Sequence, residues 1–321
     1  MNNPFDFGNL IVNQNKKWWL TIWIVPQKKQ KGKDQISMQD VIPLITLEQA
    51  RVHYAAESGQ VRKAVDGVSL NVYPGEWISI VGANGSGKST LAAVLIGFTQ
   101  LSGGTRQAAP ELAVRGVLQQ PDAQVLGDTI EEEFHFSLSP YVNSVEEQLR
   151  RREDALHMVG LHYSPDTVIS RMSGGQKQLL NIAVALASKP DVLVLDEPTA
   201  MLDPGARERI ESIVASVVQQ GTAVVWITHH LEEATLSNRI MAMEQGQCVY
   251  DGVPSSFFYG STVETPPATM AEERTGRTPC ERLRLDPPFT IKTALLLKQQ
   301  GFLDQGATPL RPEQLVKEVA R

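Results

Sequence analysis

A glycine-rich segment at residues 82–89 constrains the fold of this chain more than any other part of the sequence. It reads G-A-N-G-S-G-K-S and fits the pattern G-x-x-x-x-G-K-[ST]. Glycines let backbone N–H groups turn toward a phosphate, the lysine supplies positive charge, and the serine hydroxyl is a ligand for Mg²⁺. The apolar run Trp77–Val81 ends directly at this segment. The pattern therefore predicts a buried strand that leads into a phosphate-binding loop.

Two further apolar runs predict the centre of a parallel sheet. Residues 192–195 and 223–228 are short and rich in β-branched side chains, which is typical of strands buried on both faces. Segments with a helical period lie between these runs. The alternation of strands and helices predicts an α/β fold.

The clearest helical segment covers residues 144–159. Ser144 and Glu147 have the spacing of a capping box, and Gly160 is a typical residue for the end of a helix. The apolar side chains expected near one face of this helix are Val145, Leu149, Leu156 and Val159. The pattern predicts an amphipathic helix with this apolar face.

Two carboxylates follow the apolar run V-L-V-L directly. Asp196 is suited to hold Mg²⁺, and Glu197 is suited to accept a proton from an attacking water. The alternative is that both residues only start a turn before Pro198. The phosphate loop favours the first interpretation, because two charges at the end of a buried strand would otherwise be poorly placed.

A second glycine-containing motif, M-S-G-G-Q at residues 172–176, precedes an apolar stretch that is compatible with a helix. Glycines before a helix form an anion site, although Ser173 would also serve as a plain N-cap. Ser173 of this motif lies 85 residues after Lys88. This separation suggests that its target is the nucleotide of another subunit.

These motifs together resemble those of ABC ATPases, and more narrowly those of the ATPase subunits of energy-coupling-factor (ECF) transporters for vitamins and metal ions. The resemblance runs from about Ile45 to the C-terminus. It implies a P-loop NTPase fold: an ABC-type nucleotide-binding domain with a RecA-like core, a helical subdomain and a C-terminal helical extension. It also implies ATP and Mg²⁺ as cofactors and ATP hydrolysis coupled to transport.

The resemblance assigns roles to individual residues. The expected catalytic residues are Glu197, His229 and Gln119, and the expected Mg²⁺ ligands are Ser89, Gln119 and Asp196. The residues expected to bind nucleotide are Tyr54 as the aromatic that stacks on adenine, the phosphate loop Gly82, Ala83, Asn84, Gly85, Ser86, Gly87, Lys88, Ser89 and Thr90, the signature residues Ser173, Gly174, Gly175 and Gln176, and Asp203 in the D-loop.

The narrower ECF assignment depends on two segments. Residues 119–134 start at Gln119, the position of the family's glutamine loop, and residues 286–297 lie near the C-terminus. Two side chains depart from the family pattern. Met172 stands where leucine is usual, which conserves volume. Leu179 stands where arginine is usual, which would remove a polar contact at the subunit interface. The segment 101–116 is also shorter than the β-subdomain of the family.

Composition places limits on localisation. The chain has 30 basic and 36 acidic residues, which argues against a nucleic-acid binder with a basic face. Only Cys248 and Cys280 occur, and their spacing fits neither a disulfide framework nor a zinc site. The apolar run at residues 18–25 is shorter than the roughly 20 residues that cross a membrane. We expect a peripheral protein on the cytoplasmic face of the cell membrane.

The expected organisation has three parts. Residues 1–40 are expected to form a basic, disordered extension. The alternative is that Trp18, Trp19 and Trp23 of this extension lie on a membrane surface. Residues 43–259 form the ABC domain, with the helical subdomain at about 128–187. Residues 260–321 form a linker and a helical dimerisation extension, whose two helices should start at a Thr290 cap and at Pro312.

The expected partners are a second ABC ATPase subunit, identical or different, a transmembrane coupling subunit and a substrate-binding membrane component, without nucleic acid. The acidic run Glu131, Glu132 and Glu133 is a candidate contact with arginines of the coupling subunit, or only an acidic helix start. The alternative functions are the ATPase subunit of another ABC transporter class and a soluble ABC ATPase that acts on nucleic acid. The transported substrate has no signal in this chain.

Overall fold

The computed structural model describes residues 42–55, 61–260 and 277–320. The expected extension at residues 1–40 and most of the expected linker after Gly260 lie outside the described residues. None of the described helices is long and apolar enough to cross a membrane.

A six-stranded sheet forms the centre of the molecule, and the strand order is β5-β6-β7-β3-β8-β9. All neighbours in it are parallel except the antiparallel edge pair β8 and β9. Every residue of β3, β6 and β7 is buried, which explains their continuous apolar sequences. The strands are β3 Trp77–Val81, β5 Val114–Val117, β6 Val192–Asp196, β7 Ala223–Ile227, β8 Arg239–Glu244 and β9 Gln247–Gly252. The α/β prediction is confirmed, and the predicted central strands are correct to within one residue.

A smaller antiparallel sheet with the order β2-β1-β4 packs beside the central sheet. Its strands are β1 Ile45–Ala55, β2 Val61–Val72 and β4 Gly103–Ala108. The helix α1, Lys88–Ile96, starts at the phosphate loop. Side chains of α1, of the small sheet and of one face of the central sheet share a single apolar cluster. The phosphate loop is therefore held between two buried elements, β3 and α1.

Helices α2 Ile130–Leu138, α3 Val145–Val159, α4 Gly174–Ala187 and α5 Pro204–Gln219 contribute to the cluster on the other face of the central sheet. As predicted, α3 begins after Ser144, whose Oγ accepts from the backbone N–H of Glu147, and ends at Gly160 with φ of 76°. The capping box is only half formed, because the Glu147 carboxylate accepts from two arginine side chains of the same helix instead.

Only the C-terminal half of the predicted apolar face of α3 is buried. Val145 and Leu149 are exposed, whereas Leu156 and Val159 are buried. All buried residues of α3 lie between Arg152 and Val159. The first two turns therefore extend beyond the packed core, which a helical period alone does not reveal.

Short helices lie after β7 in the described part of the chain, with α6 between β7 and β8 and the others after β9: α6 Leu231–Ala234, α7 Pro254–Tyr259, α8 Pro279–Arg282, α9 Phe289–Gln299 and α10 Pro312–Val319. The predicted Thr290 cap is wrong, because α9 already begins at Phe289, Pro288 holds the capping position and Thr290 is buried. Proline fixes the backbone before a helix without a side-chain cap. The predicted start of the last helix at Pro312 is confirmed. Ile291 of α9 packs with Phe257 and Phe258 of α7.

Candidate functional site

The phosphate loop joins β3 to α1 and depends on glycine at two positions for different reasons. A Cβ on Gly87 would lie 2.0 Å from the carbonyl oxygen of Ala64, and φ of this glycine is 103°. Gly85 also has a left-handed φ of 79°, but nothing lies within 4 Å of the place where its Cβ would be. The loop is thus packed tightly against the protein at Gly87 and opens onto a cavity at Gly85.

Lys88 is almost fully buried at the base of this loop. Its Nζ donates to the carbonyl oxygens of Gly82 at 2.8 Å and of Ala83 at 3.0 Å. Burial lowers the pKa of Lys88 below its ordinary value, while the charges of Glu197 and Asp196 oppose this shift. The loop carbonyl oxygens therefore hold the ammonium group in place, inside the same loop that would bind a phosphate.

Asp196 and Ser89 are the candidate Mg²⁺ ligands beside this loop. Burial raises the pKa of Asp196, and a hydrogen bond from the Ser89 hydroxyl opposes the shift. Asp196 Oδ1 and Ser86 Oγ are buried and have no hydrogen-bond partner. A free carboxylate oxygen beside a hydroxyl fits a Mg²⁺ ion that also binds phosphate oxygens and water, because Mg²⁺ prefers oxygen ligands. Among the described residues no group of three or more His, Cys, Asp or Glu side chains could hold a metal ion by itself.

Glu197 connects two other predicted residues. Its Oε2 accepts from Gln119 Nε2 at 3.0 Å, and its Oε1 lies 3.3 Å from His229 Nδ1. Glu197 has a left-handed φ of 51°, which is unusual for a residue with a Cβ. Its backbone N–H donates to Ile227 at the end of β7. The ends of the neighbouring strands β5, β6 and β7 therefore bring an amide, a carboxylate and an imidazole together.

The three side chains and the phosphate loop line a cavity of about 490 Å³. The lining residues are Arg62, Asn84, Gly85, Gly87, Lys88, Ser89, Thr90, Gln119, Glu197 and His229. Sequence reasoning missed Arg62, which has no motif around it. Tyr54 is not among the lining residues, but it is half-exposed and pairs directly with Arg62 across β1 and β2.

The residues of the M-S-G-G-Q motif do not line this cavity. Ser173 caps α4, and the Gln176 side chain accepts from the Ser173 backbone N–H at 2.8 Å, so this capping box is complete. A Cβ on Gly175 would lie 2.8 Å from the carbonyl oxygen of Met201. The motif therefore packs against the segment that precedes α5, and Asp203 of that segment caps α5 through the backbone N–H of Ala206.

The two departures from the family pattern both lie in the apolar core. Met172 and Leu179 are buried in the cluster that also contains Leu202. The leucine thus contributes apolar burial where a charged side chain would be costly. Gln176, Leu179 and Asp203 also line a second cavity of about 450 Å³.

The acidic run Glu131, Glu132 and Glu133 forms the first turn of α2 and makes its contacts within the chain. Glu132 accepts from the backbone N–H groups of Asp128 and Thr129, and Glu131 lies 3.7 Å from Arg152. Glu133 is buried, and its Oε2 accepts from the N–H groups at positions 126 and 127. These contacts favour the second of the two interpretations, an acidic helix start, because the carboxylates already have partners within the chain.

The stability of the folded chain should depend on pH through Glu211 of α5. Burial, and then the nearby charge of Glu233, raise the pKa of Glu211 from 4.5 to about 7. Between these pH values the native state binds more protons than the unfolded state, so stability falls as pH rises through this window. We expect Glu211→Gln to raise the melting temperature by about 2 °C at pH 8 and to change it little at pH 5.

Thermal melts at both pH values test this expectation. Glu244→Gln is the control, because Glu244 is an exposed carboxylate at the end of β8 and is not among the charges that shift the pKa of Glu211. An equal shift at pH 5 and pH 8 for Glu211→Gln would contradict a charge effect.

Comparisons with known proteins identify the family. A protein-family model described as ABC transporter matches residues 65–200. The Energy-coupling factor transporter ATP-binding protein EcfA of Enterococcus faecium is 37% identical over 271 residues, covering 81% of this chain and 91% of that protein. EcfA1 of Bacillus subtilis (strain 168) is 36% identical over 288 residues, covering 86% and 96%. The chain belongs to the family of ECF transporter ATP-binding proteins. It is therefore an ABC ATPase.

Solved structures agree with this family. A dimeric ABC cassette, MJ0796 bound to ADP and Pi, has a TM-score of 0.60 and 26% identity over 65% of this chain and 98% of that chain. cbiO1 from Clostridium perfringens, part of the ABC transporter complex cbiONQ, has a TM-score of 0.57 and 26% identity over 67% and 90%. The expected ABC-type nucleotide-binding fold is confirmed.

Proposed function

We propose that this chain binds Mg²⁺-ATP at the phosphate-loop cavity and energises an ECF-type importer for vitamins or metal ions. The observation that carries the catalytic part is the convergence of Gln119, Glu197 and His229 beside the loop, with both oxygens of Glu197 engaged. An anion-binding loop, a carboxylate base and a neighbouring imidazole are the parts that phosphoryl transfer to water requires.

Each residue has a distinct role in this proposal. Asp196 and Ser89 would hold Mg²⁺, which would neutralise charge on the phosphates. The backbone N–H groups of the loop and Lys88 bind the phosphates. Glu197 accepts the proton of the attacking water, Gln119 orients that carboxylate, and His229 donates a hydrogen bond toward the terminal phosphate.

A second ATPase subunit completes the site in this proposal. The M-S-G-G-Q motif has an exposed serine and sits at the N-terminus of α4, yet it does not line the phosphate-loop cavity of its own chain. We therefore assign Ser173, Gly174, Gly175 and Gln176, with Asp203, to the nucleotide bound by the partner subunit. The MJ0796 cassette is described as a dimer in its ADP- and Pi-bound state, which is consistent with this arrangement.

The C-terminal extension is a second proposed contact between subunits. Helix α10 has no buried residue, and Val316 and Val319 expose their side chains on it. Phe302, in the loop before α10, is also exposed. An isolated helix of this length is marginal in water, so a partner surface would stabilise it.

The contact with the membrane partner is proposed at a cavity of about 250 Å³ between α2, α4 and β5. Leu126, Phe136 and Tyr141 line it and expose large apolar surfaces. Arg115 lies over the Tyr141 ring at 4.4 Å. Apolar side chains with one cation suit an amphipathic helix of the coupling subunit better than an arginine-rich one. This location would place the chain on the cytoplasmic face of the membrane.

Leu126→Asp tests the coupling proposal. A charge at this exposed position should be tolerated by the chain alone but should be costly once a partner helix covers it. We expect uptake by the assembled transporter in vesicles to fall at least about tenfold, with ATP binding changed less than about twofold.

Val145→Asp is the matched control, because Val145 is a similarly exposed apolar residue on α3 outside the cavity. Normal assembly and uptake in the Leu126→Asp variant would exclude this cavity as the coupling contact. Equal losses in both variants would mean that the effect is not specific to it.

A further inference from the structure

A buried carboxylate just behind the catalytic residues connects the two loops that carry them. The proposed chemistry requires these loops to keep a fixed relative position. Glu233 lies on α6, close after His229 in the chain, and is 1% exposed. Buried carboxylates are rare without partners, because burial of the charge is costly. No step of the proposed hydrolysis uses Glu233 directly, so its contacts require another explanation.

The two oxygens of Glu233 accept from different loops. Oε1 accepts from the Thr199 hydroxyl, and Thr199 is also buried, two residues after Glu197. Oε2 accepts from Trp226 Nε1 at 2.9 Å and from Thr228 Oγ1 at 2.6 Å. One carboxylate therefore bridges the loop after β6 and the end of β7.

At each end the bridge continues into the backbone of the loop that it holds. The Thr228 hydroxyl accepts from the backbone N–H of His230 at 2.9 Å, so the turn that carries His229 closes on itself. On the other side, the backbone N–H of Leu202 donates to the carbonyl oxygen of Thr199. Arg207 Nε lies 3.9 Å from Glu233 Oε1 and places positive charge beside the carboxylate.

Packing supports the catalytic contact through one neighbouring ring, that of His230, whose centroid lies 4.1 Å from the centroid of the His229 ring. The His229 side chain is 47% exposed, and its contact with Glu197 is 3.3 Å long. Since His230 is the next residue in the chain, the position of the His229 imidazole depends on the backbone turn that carries both rings. The separation of His229 from Glu197 therefore depends on how firmly the two loops are joined below them.

We infer that Glu233, with Thr199, Thr228 and Trp226, is a clamp that positions His229 relative to Glu197. Glu233 is a positioning residue in this arrangement, because it lies behind the reacting groups and acts through the two loops. The clamp also connects His229 to the segment at residues 200–203, which the proposed dimer places near the second subunit. The inference depends on the proposed roles of Glu197 and His229.

Thr199→Val tests the clamp with the smallest change in shape. It removes one hydroxyl from Glu233 and leaves the nucleotide-binding loop unchanged. We expect kcat to fall roughly tenfold to a hundredfold with KM for ATP within about twofold, measured on the full-length chain in the assembly with which it co-purifies. Thr199→Ser keeps the hydroxyl and should keep the parent kcat.

Thr235→Val is the matched control. Thr235 is also buried, but its hydroxyl donates only to the backbone of its own helix at Glu232, 2.6 Å away. It should lose stability comparably without loss of kcat. Thr228→Val cuts the other arm of the clamp and should repeat the kcat defect, which provides a second test if Thr199→Val fails to fold.

A double-mutant cycle separates positioning from general destabilisation. In a His229→Ala background, Thr199→Val should cause less than about a twofold further loss, because there is no imidazole left to position. Losses that multiply, or a parent kcat in Thr199→Val despite a lowered melting temperature, would overturn the clamp. Parent activity in both Thr199→Val and Glu197→Gln would contradict the proposed catalytic role of Glu197, on which the clamp depends. A loss of activity in Glu197→Gln but not in Thr199→Val would contradict the clamp and leave the catalytic role in place.

Discussion

Glu197→Gln is expected to slow ATP hydrolysis by roughly 10²- to 10⁴-fold and to leave ATP binding intact. The substitution preserves the geometry, because Gln119 Nε2 can still donate to an amide oxygen at this position. The other amide atom can face His229 Nδ1. The change removes only the acceptor for the proton of the attacking water. ATP should then hold two chains together as a closed dimer.

Steady-state ATPase rates, nucleotide binding and sedimentation with ATP together test this expectation. Glu232→Gln is the matched control, since Glu232 is an exposed carboxylate close to the same loop. Hydrolysis at the parent rate in the Glu197→Gln variant would exclude Glu197 as the base. Loss of ATP binding would indicate a structural role for this carboxylate instead.

Lys88→Ala is expected to weaken ATP binding itself, by on the order of a hundredfold or more. The ammonium group is the buried cation of the phosphate-loop cavity, and two charge-assisted hydrogen bonds to phosphate oxygens are worth about 3 kcal/mol or more. The fold should survive, because burial already lowers the pKa of Lys88 and the variant removes that desolvation cost.

Equilibrium binding of a fluorescent ATP analogue, together with a thermal melt, measures both effects. Lys63→Ala is the control, because Lys63 lies on β2 next to Arg62 but is paired with Asp66 at 3.0 Å. Tight ATP binding in the Lys88→Ala variant would contradict the assignment of residues 82–89 as the phosphate loop.

Some predictions from the sequence needed only local information. Residues 77–89 specify a buried strand, a glycine turn and a helix start within one short segment, and the structure has these elements at the predicted positions. The Ser144 cap and the Gly160 end of α3 are equally local. The backbone rules for glycine, capping residues and buried strands act between residues that are near in the chain, so a single sequence contains them.

The motifs together with the family resemblance predicted the catalytic residues, but not the contacts between them. Glu197 and His229 each follow a predicted buried strand, and the resemblance assigns a catalytic role to both. Their contact exists because β6 and β7 are neighbours in a parallel sheet, and parallel strands end at the same edge.

Other features were decided only by the tertiary structure. Arg62 lines the cavity because β1 and β2 place it beside Tyr54, and Glu233 joins two loops whose hydroxyls lie 34 and 5 residues away in the chain. Val145 and Leu149 are exposed although they continue an apolar face, because α3 extends beyond its neighbours. Burial and hydrogen-bond partners of this kind depend on which elements meet in space, and the local pattern of a sequence does not contain that information.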